Sequence, residues 1–120
     1  MIPVIIIPAF NPPNTFTQLI RSIRRKISIP IIIIDDGSAP AVQLLPEFAC
    51  VELLRNNINQ GKGYSLMKGI NYALEHRYTH CITMDSDLQH DPAFIPKFLS
   101  MDENITIICG KRYFKGLMPI

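Results

Sequence analysis

Apolar residues in this chain gather into short unbroken runs, with stretches of helical spacing between them. Pro3 to Ile7 is a β-branched run closed by Pro8. Ile31 to Ile34 is a run of isoleucine closed by Asp35-Asp36-Gly37-Ser38. Val51 to Leu54, His80 to Met84 and Ile105 to Cys109 are further runs of this kind. Most lack polar alternation, as expected of strands covered on both faces in a parallel sheet. Thr15 and Gln18 have capping-box spacing, and Phe16, Leu19, Ile20, Ile23 and Ile27 then trace one apolar stripe. Leu66, Met67, Ile70, Ala73 and Leu74 trace a second. Asp91 as N-cap and Pro92 at the first helical position open a third helix, with Phe94, Ile95, Phe98 and Leu99 facing inward. The connection Ala39 to Ala49 carries two prolines and is expected to be a loop with a short helix. Strand and connection repeat and end on a strand. This order predicts an α/β fold, an open and mainly parallel sheet with helices on both faces.

Composition adds bounds. At 120 residues the chain is one domain. Apolar residues make up 48% and charged residues 18%, so it is globular rather than disordered. A net charge of +2 is too small to argue for nucleic acid. The basic run Arg21, Arg24, Arg25, Lys26 reads as the solvated end of a helix, with contact to anionic lipid or phosphate as the alternative. Cys50, Cys81 and Cys109 form no C-x-x-C pair and read as buried thiols of a reducing compartment. The chain enters a strand pattern at once, so no signal peptide is expected. No run approaches the ~18 apolar residues of a bilayer span. A soluble cytoplasmic protein is expected, peripheral to a membrane through a partner or a further segment.

Ligands of open α/β sheets bind outside the carboxyl ends of the strands, so the residues there are the candidates for chemistry. After the first run come Pro8-Ala9-Phe10-Asn11-Pro12-Pro13, and after the second Asp35-Asp36-Gly37-Ser38. After the third come Arg55-Asn56-Asn57-Ile58-Asn59-Gln60-Gly61-Lys62-Gly63. Asp85-Ser86-Asp87-Leu88-Gln89 follow the fourth, and Gly110-Lys111-Arg112 the fifth. Asp85 and Asp87 with the Gln89 amide oxygen offer hard oxygen ligands to a divalent cation, whose usual partner is a diphosphate. The plain alternative is a polar turn before a helix. Asp35 and Asp36 suit either a turn or hydrogen bonds from a base and ribose hydroxyls. Gly61-Lys62-Gly63 either starts a helix or lets backbone approach a phosphate there, with Lys62 adding charge. It is no Walker loop, since Gly63 stands where Ser or Thr belongs, and no G-x-G-x-x-G follows the first strand. His90 is either a ligand or a polar residue near a cap.

Taken in order, these motifs resemble the family 2 glycosyltransferases of the GT-A fold, a Rossmann-like nucleotide-binding architecture. The branch they resemble most is the dolichol- or polyprenol-phosphate sugar transferases. The stretches are Val4 to Asn11, Ile33 to Ser38, Asn59 to Gly63, Met84 to Pro92 and Cys109 to Arg112. The resemblance implies a nucleotide-diphosphate sugar donor, a divalent metal (Mg²⁺ or Mn²⁺) and inversion at the anomeric centre. It implies that Pro8, Ala9 and Phe10 line the base pocket, that Asn11 helps bind the nucleotide sugar, and that Asp35 or Asp36 meets the base and ribose. Lys62, Ser86 and Arg112 would lie at the donor. Asp85, Asp87 and Gln89 would serve metal and diphosphate.

Pro12-Pro13 follow Asn11 where the family usually carries an acidic residue, which leaves the choice of nucleotide open. Members typically run to about twice this length, and their later half binds the acceptor and supplies the general base. Residues 1–120 are therefore expected to be the donor-binding half, truncated before the acceptor half, with self-association through apolar surface left uncovered. A polyprenyl-phosphate acceptor would need no base, because its phosphate oxygen is already ionised. The alternatives are a non-catalytic nucleotide-sugar-binding module and a phospho-receiver domain. For a receiver the acidic pair follows the wrong strand.

Overall fold

The structure is a computed structural model and describes residues 2–86, 94–100, 112–113 and 117–118, without the side chains of 94, 97, 98, 112–113 and 117–118. The elements are β1 (Pro3–Ala9), α1 (Phe16–Lys26), β2 (Ile31–Asp36), β3 (Val51–Asn56), α2 (Lys62–Glu75), β4 (His80–Thr83) and α3 (Phe94–Leu99). Two short strands, β5 (Arg112–Tyr113) and β6 (Leu117–Met118), pair antiparallel. The main sheet has the order β3-β2-β1-β4, and every pairing in it is parallel. The fifth apolar run, the Asp91-Pro92 helix start, and Asp87, Gln89, His90 and Cys109 lie outside the described residues.

Residues alternate between faces along a strand, and the two central strands are apolar on both. Ile5, Ile7, Ile31 and Ile33 pack with Phe16, Leu19, Ile20 and Ile23 of α1 and with Ile95 of α3. Val4, Ile6, Ile32 and Ile34 pack against Ala73 on the α2 side. Each such isoleucine contributes about 1.5–3 kcal/mol by leaving water. The described sheet ends at β3 and β4, and there burial is only partial: Glu52 and Arg55 of β3 and Cys81 and Thr83 of β4 are exposed.

Several expectations are corrected. The Thr15–Gln18 capping box does not form, because Thr15 is already αR and makes no side-chain cap bond. The helix is entered through a turn in which Phe16 N–H donates to the Pro13 carbonyl at 2.9 Å. Residues 39–49 contain no helix. Cys50 and Cys81 are exposed rather than buried. Arg24 is more than a solvated charge. Its guanidinium donates to the carbonyls of Ala49 (3.1 Å), Ile29 (2.7 Å) and Cys50 (2.9 Å), clamping the approach to β3 onto α1.

The buried face of α2 is also displaced from the expected stripe. Met67 is 54% and Leu74 66% exposed. Of the expected stripe Ala73 is buried and Leu66 and Ile70 pack partly buried against the same core, while the deepest line along the helix is Ser65, Gly69 and Ala73, one small residue per turn. Small residues let the helix axis come close to β1 and β2. A Cβ on Gly69 would stand 2.7 Å from Ile6 Cγ2 and 2.8 Å from Ile34 Cδ1. Overpacking of this kind costs about 1–3 kcal/mol, against a helix-propensity gain of about 1 kcal/mol for alanine. Gly69→Ala is therefore expected to lower stability by a net ~0–2 kcal/mol. A raised urea midpoint would contradict this packing.

Candidate functional site

The chain runs outward from β1 to β2 and β3, then returns to place β4 on the other side of β1. Crossovers thus leave in opposite directions on the two sides of β1, and a crevice opens at its carboxyl end. A cleft of about 390 Å³ lies there, within the ~300–1,000 Å³ range of small-molecule sites. Pro8, Ala9 and Phe10 from the end of β1 form its apolar stretch. Asp36 at the end of β2 and Asn59, Gly61 and Lys62 from the β3–α2 connection form one polar flank. Asp85 and Ser86 beyond β4 form the other. Lys62 Nζ reaches across to Asp85 Oδ1 at 2.5 Å.

Asp35 and Asp36 are consecutive in one strand, so their side chains leave opposite faces of the sheet. Asp35 is fully buried and is not part of the cleft wall. It accepts the N–H groups of Ser38 (3.0 Å) and Val42 (2.9 Å) and pairs with the Arg55 guanidinium. Burial opposes its charge, but these hydrogen bonds and the Arg55 charge outweigh burial and hold the carboxyl below its usual range. Arg55 also donates to the Ser38 carbonyl at 3.1 Å, so one guanidinium secures the whole turn after β2.

Asp36 faces the α2 side. It accepts from Gln60 N–H (2.7 Å), Gly61 N–H (2.9 Å), Asn56 Nδ2 (2.9 Å) and Asn59 Nδ2 (3.1 Å). Burial again opposes the charge, and the bonds from Gln60, Asn56, Gly61 and Ser65 more than offset it, so this carboxyl too sits low. Its work in this structure is to fold residues 59–61 into the cleft wall and to deliver Lys62 at the start of α2. Asn11 holds the same region from the β1 side rather than lining the cleft. Its N–H donates to Ser38 Oγ at 2.8 Å, and its Oδ1 accepts from Ala39 N–H at 3.0 Å.

The structure therefore brings together Pro8, Ala9, Phe10, Asp36, Lys62, Asp85 and Ser86, and leaves Asn11 and Asp35 out of the cleft lining. Arg112 begins β5, and its side chain, like Asp87 and Gln89, lies outside what is described. Among the described residues no group of three His, Cys, Asp or Glu could hold a metal. Asp85 offers one hard oxygen group at the rim. That suits an ion such as Mg²⁺, which takes one or two carboxylates and draws other ligands from phosphates and water. Arg55 and Asn56 have no assigned role in the motifs, and Asn59 has none of its own within its motif. The signal for the first two is register: Asp35 stands opposite Arg55 and Asp36 opposite Asn56, a pairing visible only once β2 and β3 are aligned.

Sheet, switch point and cleft define a Rossmann-like α/β protein with a polar site at the carboxyl ends of its strands. The family profile described as glycosyl transferase family 2 matches residues 4–119, and the chain belongs to that family. It is 34% identical to an uncharacterized protein of Methanocaldococcus jannaschii, over 95% of this chain and 53% of that protein. It is 28% identical to a dolichol-phosphate mannosyltransferase of Pyrococcus furiosus, over 93% of this chain and 33% of the relative. With a polyprenol monophosphomannose synthase of Mycolicibacterium smegmatis the identity is 24%, over 94% and 46%. The chain thus spans about half or less of the length of these relatives. No helix among the described residues is long and apolar enough to cross a membrane.

Proposed function

We propose that this chain forms the donor-binding part of an inverting glycosyltransferase that takes a nucleotide-diphosphate sugar and passes the sugar to a polyprenyl phosphate. The observation that carries this reading is the cleft at the switch point, with an apolar stretch on β1 and the Lys62–Asp85 pair beside it. Phe10 is 52% exposed where a base would stack, which is costly for an aromatic surface unless a ligand covers it. Lys62 supplies a cation at the start of a helix, where a diphosphate is favoured by the backbone N–H groups as well. Asp85, with Asp87 and Gln89, would hold Mg²⁺ or Mn²⁺. The ion would neutralise charge on the departing diphosphate. The acceptor is proposed from the names of the relatives and from its chemistry, since an ionised phosphate oxygen attacks without a general base.

Titration calorimetry with UDP- and GDP-sugars in the presence of Mn²⁺ tests this. Saturable heat that is weakened by chelating the metal is expected. Absence of binding by either nucleotide would overturn the donor site.

A further inference from the structure

We infer that Asn59 reads the nucleotide base through its side-chain carbonyl oxygen and selects a base that presents a ring N–H, as uracil and guanine do. This rests on the reading of the cleft as a donor site. Asn59 Nδ2 donates to Asp36 Oδ2 at 3.1 Å and to the Asp36 main-chain carbonyl at 3.3 Å. Both partners are acceptors only, so the amide nitrogen must face Asp36 and the carbonyl oxygen must face away from it. The amide therefore cannot flip without losing both bonds. Asp36 is itself fixed by the N–H groups of Gln60 and Gly61 and by Asn56.

The backbone of Asn59 is held as tightly as its side chain. Gly37 has φ +78°, and a Cβ there would stand 2.6 Å from Asn59 N and 2.7 Å from Ile58 C. The turn after β2 thus closes directly on this residue, at a position where only glycine fits. Asn59 is nonetheless exposed and lines the cleft, and among the described residues no donor reaches its Oδ1. A pre-positioned acceptor on a ligand-facing wall has a direct use.

Placement supports the base rather than the phosphates as the group read. Asn59 and Asp36 stand on the β2 side of β1, whereas Asp85 stands on the β4 side. Strand ends two positions apart in a sheet are separated by about 10 Å, room for the base at one end and the diphosphate at the other. Uracil N3 and guanine N1 carry hydrogen and meet an acceptor. Cytosine N3 and adenine N1 are themselves acceptors and would leave two lone pairs opposed.

The test is the affinity of UDP, GDP, CDP and ADP, each with Mn²⁺, for the wild type, Asn59→Ala and Asn59→Ser. The serine keeps a hydroxyl donor near Asp36 while withdrawing the carbonyl from the cleft. Thermal midpoints confirm that each variant folds. The wild type should bind UDP or GDP about 10- to 100-fold more tightly than CDP and ADP. Both variants should lose most of that ratio, by weaker binding of the favoured nucleotide with CDP and ADP little changed. An equal loss for all four would show a merely structural role, and a retained ratio or a wild-type preference for CDP or ADP would refute base reading. Those outcomes leave the donor site standing. Failure of the wild type to bind any of the four would overturn the donor site and this inference with it.

Discussion

Asp36→Ala is expected to remove about 3–5 kcal/mol of folding stability, the largest loss from any single side chain at the cleft. The carboxylate is 3% exposed and is the shared acceptor for the donors of Gln60, Gly61, Asn56 and Asn59. Each donor left without a partner costs about 1–3 kcal/mol where water cannot reach it, and water will rescue some of them in the smaller side chain's space. A domain of this size has about 5–15 kcal/mol in all, so the variant should be close to unfolding at moderate temperature. The pH dependence follows the same carboxylates. Asp35 and Asp36 both have folded pKa values held below the ordinary range. Their contribution is therefore fully present above the unfolded value of about 3.9 and is lost as pH falls through the lower folded values. Urea midpoints of the wild type should fall steeply below about pH 4, and those of Asp36→Ala should start lower and fall less steeply. A loss under ~1 kcal/mol at neutral pH would mean that the hydrogen bonds around Asp36 are replaceable by water.

The same pair of aspartates separates what is legible in the amino-acid sequence from what is not. The strands are legible because burial on both faces leaves an unmistakable pattern: Ile31 to Ile34 has no polar interruption, and all four side chains are buried. The location of the cleft follows from the carboxyl ends of those strands. The division of labour between Asp35 and Asp36 does not, although strand alternation already implies that only one can face a given side. Deciding which one requires knowing that α2 covers the face of Ile32 and Ile34. The inward face of α2 is hidden for a related reason. Hydrophobicity favours Met67 and Leu74, but close approach to Ile6 and Ile34 favours the side chain with the least volume, and Gly69 carries no hydrophobic signal. Arg24 reads as a surface charge because the carbonyls of Ala49, Ile29 and Cys50 that it gathers come from backbone, which no residue type advertises.

Asp85→Asn should have the opposite profile from Asp36→Ala: little effect on stability and a loss of donor binding of about 100-fold or more. Its partner Lys62 has a side chain 62% exposed, and that of Asp85 is 23% exposed. An ion pair this open to solvent is worth about 0–1 kcal/mol, so removing its charge should move the urea midpoint very little. In the donor complex the same carboxylate would exchange Lys62 for a cation carrying two phosphates, in a cleft from which the ligand has displaced water. Charge lost there is felt at close range and low dielectric. Asparagine keeps the size and one oxygen but supplies no charge, so the defect should persist at high metal concentration. Lys62→Ala should weaken nucleotide binding by about 10-fold, because helix N–H groups remain to meet the phosphates. Calorimetry with Mn²⁺ and the preferred nucleotide measures both variants, and chemical denaturation supplies the stability control. Two carboxylates on opposite flanks of one cleft are thus separable: Asp36 builds its own flank, and Asp85 is held against Lys62 in a contact weak enough to yield to a ligand. Full binding by Asp85→Asn would place the diphosphate elsewhere on the sheet's edge.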